Sequence, residues 1–291
     1  MSHRCSMTRA ARCGVALVAV LWIVAALAIA VAGMLHTVRS EIRVTAADQR
    51  LLQVQAAGEA AITLVLQEMA QQRNAARPPL LRSMVSFAGT QMLVQASSLN
   101  GYVDLNRASP QLLAQVYEIV GQLDPRSAAA LAQATVEARN SPDPAGRPLR
   151  FEAPEDLMLI PGVSYDLYAR LRGYLVADAQ GTGKINPQAA PAGLLSVLAG
   201  GDIRQGQALS LARQRDGALM NTSNLRAEFI DNSVGSRYRM QAVVPLADGS
   251  AGTFVLFVEL TPDRRTGLPW QPLGSQLWLD TSSVEGADFR D

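Results

Sequence analysis

Four groups of side chains in this 291-residue sequence have types and spacings that could do chemistry. Glu155 and Asp156 stand side by side in "FEAPEDLMLIPG", as a carboxylate acid/base pair would. "GTGKI", Gly181 to Ile185, sets glycines around the single lysine, Lys184, like part of a loop that cradles phosphate. Pro161, Gly162 and Val163 form a tight turn whose backbone amides could approach a phosphate. Asp231, Asn232, Asp248 and Asp263 offer oxygens of the kind calcium collects, roughly six to eight at a time and from several loops.

Each group lacks part of what its chemistry needs. No third residue is in sight to tune Glu155 and Asp156, whereas two acids just after Pro154 suit the first turn of a helix. A phosphate loop would have glycine where Asp178 stands and Ser or Thr where Ile185 stands, so "GTGKI" reads as a turn. Around the Pro161 turn, Arg150, Arg170 and Arg172 face Glu152, Glu155, Asp156, Asp166 and Asp178. Ser164 also replaces the second glycine of nucleic-acid-binding hairpins, so phosphate contact is not expected there. The four oxygen-bearing residues remain weak calcium candidates, since spacing alone does not converge them.

Composition narrows the functions further. The two histidines are His3 and His36 and the two cysteines are Cys5 and Cys13, all near the front of the chain. Triad hydrolysis, His/Cys zinc chemistry and a disulfide framework are therefore hard to build, and the expectation is that the protein is not an enzyme. A net charge of +1 argues against a general polyanion binder. With 48% hydrophobic and 18% charged residues the chain is long and apolar enough to fold into two or three units.

The element that must carry any assembly function lies at the front. Val15 to Leu35 is free of charge, and about 20 such residues in a helix cross ~30 Å of hydrocarbon. Arg4, Arg9 and Arg12 precede it, which holds that end in the cytoplasm and puts the rest across the membrane. The run exceeds a usual signal-peptide core, although "AVA" before Gly33 would serve as a signal-peptidase site. No proline interrupts Met34 to Asn74, and Leu51, Val54, Gly58, Ala61, Ile62, Val65 and Met69 recur at helical steps. The pattern predicts one helix of about 60 residues, roughly 90 Å long, greasy in its first third and amphipathic in its last.

Beyond it, Pro78 and Pro79 break the helix. "MVSFAGTQMLVQA" predicts one or two short strands. Residues 101–231 predict short helices with repeated start signals: Ser109-Pro110, Asp124-Pro125 and Pro154. "LNRASPQLL" and "INPQAAPAGLL" echo one another as a duplicated corner, with Asn106 and Asn186 satisfying backbone groups in the turn that enters each helix. "RYRMQAVVPLADGSAGTFVLFVELTP" predicts a hairpin about Asp248-Gly249. It sets Tyr238, Met240, Ala242 and Val244 on one face and Phe254, Leu256, Val258 and Leu260 on another. "LPWQPLGSQLWLD" adds an edge strand.

A short basic leader ending in Gly14, followed by an apolar helix, resembles the type IV pilin and pseudopilin class. The whole order, through "DLNRASPQLL", "FEAPEDLMLIPGVSYDLYARL", "GKINPQAAPAGLLSVLAG" and "SRYRMQAVV", resembles the protein K family of type II secretion minor pseudopilins. The resemblance implies an α+β fold in which a long N-terminal helix packs on a small antiparallel sheet, with a large all-α domain inserted between strands. The parts would be a leader over 1–14, a helix over 15–75 with 15–35 transmembrane, a sheet domain over 80–100 and 232–291, and an inserted helical domain over 101–231. It implies cleavage between Gly14 and Val15 by a prepilin peptidase, methylation, and a single pass in the bacterial inner membrane with the globular part periplasmic. It implies a pseudopilus tip built with minor pseudopilins I and J, on a major pseudopilin and an inner-membrane assembly platform, and possible calcium. Val15, Ala19, Trp22, Leu27 and Leu35 would lie on the assembly helix. Ala19 replaces the family's usual glutamate, which suits a subunit with no neighbour above it, because a lone charge in lipid is expensive. The rival resemblance is to a membrane-anchored helix-hairpin-helix DNA receptor of a competence system; a periplasmic hydrolase ranks third.

Overall fold

The computed structural model describes residues 10–71, 76–142, 148, 150–216 and 221–280, with side chains in the first helix described at 18–28 and from 47 onward. That helix, α1, runs Ala10–Gln71, 62 residues without a proline. It begins ahead of Gly14 and ends close to the predicted break. The chain divides into two compact units between Gln53 and Val54.

The second unit contains the end of α1 and an antiparallel sheet. Its strands are β1 (Leu80–Phe87), β2 (Thr90–Ser98), β5 (Arg237–Pro245), β6 (Ala251–Glu259) and β7 (Gln271–Asp280), in that spatial order. The two-residue turn between β1 and β2 has positive φ at both Ala88 (50°) and Gly89 (80°), which matches the twist of the flanking strands. Gly249, at φ 81°, turns β5 into β6. The register pairs Tyr238 with Val258, Met240 with Leu256 and Ala242 with Phe254, so the two apolar sets share one face of the sheet.

That face packs on the end of α1. Val54, Ala61, Ile62, Val65 and Leu66 form one core with Met92, Val94, Ala96, Tyr238, Met240, Ala242, Val244, Phe254 and Val258. Two glycines permit the close approach. A Cβ on Gly58 would sit 2.6 Å from Phe254 Cβ, and one on Gly252 would sit 2.3 Å from Val54 Cγ2.

Residues 99–236 lie in sequence between β2 and β5, which are adjacent in the sheet. They hold β3 (Val103–Asp104), α2 (Pro110–Ile119), α3 (Pro125–Asn140), α4 (Tyr165–Leu171), β4 (Leu175–Val176), α5 (Ala192–Leu198) and α6 (Ile203–Asp216), with β3 and β4 paired in parallel. Their core is separate, centred on Leu112, Leu113, Tyr117, Leu157, Leu171, Leu194 and Leu198. Within it the Tyr117 hydroxyl pairs with Thr135 Oγ1 at 3.0 Å, and burial pushes its pKa up to about 12.

The start signals are used as read. Ser109 Oγ accepts from Leu112 N (3.2 Å), and Asp124 Oδ1 accepts from Arg126 N and Ser127 N (3.1 Å each). Asp156 reaches back to accept from Glu152 N (2.7 Å) and Ala153 N (3.1 Å) at the start of a six-residue 3-10 helix, Pro154–Leu159.

Candidate functional site

Two regions qualify as functional surface: the front of α1, and the junction where residues 99–236 join the sheet. In the first, Val18, Val20, Leu21, Trp22, Ile23, Val24 and Leu27 are all more than half exposed, with Trp22 at 74%. Successive residues of a helix point around its full circumference, so this stretch is apolar on every side. A helix apolar on every side is one that is ordinarily covered, by a protein core, by other helices or by lipid. Among the described residues no helix is long and apolar enough to cross a membrane. The run predicted to span, 15–35, is described in its side chains only over 18–28, so Val15 and Leu35, with the side chain of Gly14's neighbour Cys13, lie outside the described side chains.

The junction is a polar and apolar clamp. Asn186 N donates to Asn100 O at 2.7 Å, and the side-chain amides of Asn100 and Asn186 both donate to Ser233 O, at 3.2 and 3.0 Å. Arg237 bridges the two parts, pairing with Asp178 at 2.8 Å and Glu259 at 3.0 Å. Phe257, on β6, packs against Leu99, Tyr102, Val176 and Ala179. Gly101 presses on the Ala189 backbone so tightly that a Cβ would meet it at 2.5 Å.

Asp104 is the buried charge of this region, 2% exposed. Its Oδ1 accepts from Asn106 N at 2.9 Å and its Oδ2 from Ala179 N at 3.0 Å. Burial raises its pKa more than those bonds lower it. Asp104 thus makes the turn bond expected of Asn106. The Asn106 side chain instead ties distant segments, donating to Phe151 O (2.9 Å) and Ala177 O and accepting from Phe151 N (2.9 Å). Asn186 does serve its own turn, accepting from Gln188 N at 2.9 Å.

"GTGKI" is part of the same clamp. Gly183 has φ 84°, and a Cβ there would meet Arg107 O at 2.2 Å. Arg107 donates to Gly181 O at 2.8 Å, and Thr182 Oγ1 donates to Asp231 Oδ2 at 2.6 Å. The loop therefore staples two segments that connect strands.

Three of the four calcium candidates are engaged in hydrogen bonds. Asp248 accepts from Ser250 N and Asp263 from Arg265 N and Thr266 Oγ1, each within its own turn, while Asp231 accepts from Ser233 N in its own turn and from the distant Thr182 Oγ1. Asn232 is exposed beside Asp231. Among the described residues no three His, Cys, Asp or Glu side chains come together. At the other predicted turn, Pro161 and Gly162 are exposed and Val163 is half-buried. Ser164 there is an N-cap, accepting from Leu167 N at 3.2 Å, which is why it stands where a phosphate-binding glycine would.

Two of these carboxylates have lowered pKa values. The Thr182 hydroxyl, and then Ser233 N, hold Asp231 below the ordinary aspartate value of 3.8, while Arg265 N leads the same effect on Asp263. A lowered folded pKa gives stability that is full above the unfolded value and is lost as pH falls through the folded one; raised Asp104 has the opposite sign. Asp231→Asn is expected to flatten the loss of stability as pH falls below about 4, read by denaturant unfolding at each pH. An unchanged slope contradicts this assignment.

No family model matches the chain, and neither does any curated protein. Among solved structures it is similar to a chain of the GspK-GspI-GspJ complex of the type 2 secretion system of enterotoxigenic Escherichia coli. The two are 12% identical, with 82% of this chain and 99% of that chain covered and a TM-score of 0.48.

Asn100, Asp104, Ser233 and Arg237 carry no role in the sequence patterns, and Asp178 enters them only as a departure from a phosphate loop and as one of the acids near the Pro161 turn. Their one advance signal is a lone acid in an apolar stretch, Asp104 in "GYVDLN".

Proposed function

We propose that this protein is a minor pseudopilin of a type II secretion system that sits at the tip of a periplasmic pseudopilus. The observation that carries the reading is a division of labour along α1. Its end is glued to the sheet through Gly58, Ile62 and Leu66, while 18–28 is apolar and exposed all round. A subunit built this way is held in the inner membrane by its front end until sibling helices offer a packed bundle. Its head then rides with the growing fibre. The helical segment, as a domain inserted between β2 and β5, gives that head a bulk on which no further subunit stacks. The clamp at Arg237, Asn100 and Asp104 keeps the bulk fixed to the sheet.

In this reading Gly14–Val15 is the bond that a prepilin peptidase cuts, and the globular part is periplasmic. Ala19 leaves no orphan carboxylate in the bilayer. The partners are I-like and J-like minor pseudopilins, with the major pseudopilin and the assembly platform below them. The protein acts mechanically and is not an enzyme. The test is co-expression of the full chain with I-like and J-like subunits in membranes, followed by detergent extraction and size-exclusion chromatography. A stable ternary complex that is lost on Leu27→Asp supports the reading, since a carboxylate at the centre of a span costs about 2.5–3.5 kcal/mol. A chain that elutes alone from wild-type membranes overturns it.

A further inference from the structure

The helical segment encloses a cavity of about 290 Å³ that the clamp does not use, among α2, α4, α5, α6 and the turns that follow the first two. Ile119, Val120 and Ile203 give it an apolar wall, and Ile203 is 58% exposed there. Gln122, Arg170 and Tyr174 bring polar atoms to the same space. Small-molecule sites usually hold roughly 300–1,000 Å³, so this one suits a group about the size of a single amino acid.

Arg170 supplies the charge. Among the described residues it is the only ionised group in the lining, and no acid stands with it. Its Nε donates to Gly121 O at 3.0 Å, which holds the side chain across the end of α2. That bond uses one of several N–H groups, and among the described residues the terminal nitrogens have no partner. A guanidinium held in this way presents a fork that matches a carboxylate. Gly193 makes room for the Tyr174 ring: a Cβ on Gly193 would stand 2.6 Å from Tyr174 Cε1 and 2.9 Å from its hydroxyl oxygen.

Gln122 is the second observation. It follows α2, where Gly121 N reaches back to Val116 O and Leu123 N to Tyr117 O (3.1 Å each), and its φ is 55°. Glycine is the usual residue at a left-handed position that ends a helix. The glycine of this turn stands one place earlier, at 121, where a Cβ would meet Tyr117 O at 2.4 Å. The strained position therefore falls to a long side-chain amide that lines the cavity. Strain of this kind concentrates at binding sites.

We propose that this cavity binds a carboxylate carried on a short apolar body, either the C-terminal residue of a polypeptide or a free acid of the same size. The carboxylate lies on the terminal nitrogens of Arg170, with the Gln122 amide as a further donor, and the apolar part covers Ile119, Val120 and Ile203. A cation fits badly, because the lining offers it no acid. The inference does not depend on the secretion reading.

The experiment titrates the full chain, in a non-ionic detergent, with N-acetylphenylalanine and with its uncharged amide, by isothermal titration calorimetry. Saturable binding of the acid is expected, about tenfold tighter than that of the amide. Arg170→Gln is expected to weaken the acid about tenfold and to leave the amide unchanged. Gln122→Gly covers the case in which the arginine variant loosens the end of α2. It relaxes the backbone, so the melting temperature should rise by roughly 1–3 °C while affinity for the acid falls. A pentapeptide ending in phenylalanine separates the two sources: tighter binding than the acetylated residue assigns the cavity to a chain end, and equal binding assigns it to a free acid. No saturable binding at millimolar acid, equal affinities for acid and amide, or an affinity that neither variant lowers overturns the proposal.

Discussion

Gly252→Val is expected to lower stability by about 1–3 kcal/mol, the usual cost of forcing methyl groups into a filled core. Gly252 lies on β6, on the face that receives α1, and its missing side chain is the space occupied by Val54. A Cβ there would stand 2.3 Å from Val54 Cγ2 and 2.7 Å from Cγ1. Val54 is fully buried, so it has no rotamer that escapes into solvent. The helix must lift, and Gly58, the matching close contact against Phe254, lifts with it. For a chain of this size the melting temperature should fall by roughly 3–10 °C, read by circular dichroism on the detergent-solubilised protein. Gly274→Val is the control, since a Cβ there meets nothing within 4 Å and the change should stay within about 0.5 kcal/mol. Equal effects at both sites would mean that strand propensity, and not the seating of the helix, governs the result.

Gly183→Val is expected to cost more, above ~3 kcal/mol, because two penalties add. At φ 84° a β-branched residue is strained whatever surrounds it. The added Cβ would also stand 2.2 Å from Arg107 O and 2.5 Å from Arg107 C, backbone atoms that cannot swing aside. Gly162→Val separates the two terms. Its φ of 96° imposes similar backbone strain, but a Cβ there meets nothing within 4 Å, so about 1–2 kcal/mol is expected. Denaturant unfolding of the two variants should therefore differ. If they match, the loop around Gly183 gives way freely and is not a clamp.

What was legible in the sequence was local. The stripe from Val54 to Met69 could be read because a 3.6-residue period exposes a buried face, and the hairpin about Asp248-Gly249 because its turn residues are marked. Ser109 and Asp124 announced their helices because a cap bonds within three residues of itself. Pro154 and the two acids after it announced a short helix, and the same residues open the six-residue 3-10 helix found there. What stayed illegible depends on partners distant in the chain. Asn100 meets Ser233, Arg237 meets Asp178, and Asn106 meets Phe151, pairs that no periodicity reveals. The shared face of β5 and β6 likewise follows from register, which becomes visible only once the pairing is known.

The account rests on the apolar front of α1 staying attached as packing surface after a short leader is removed. Mass spectrometry of the protein recovered from cell envelopes, with and without the prepilin-type peptidase, tests this directly. The account predicts a mature chain that begins at Val15 when the peptidase is present and an uncut Gly14–Val15 bond when it is absent. A chain beginning at Gly33, or one whose start does not respond to the peptidase, contradicts it.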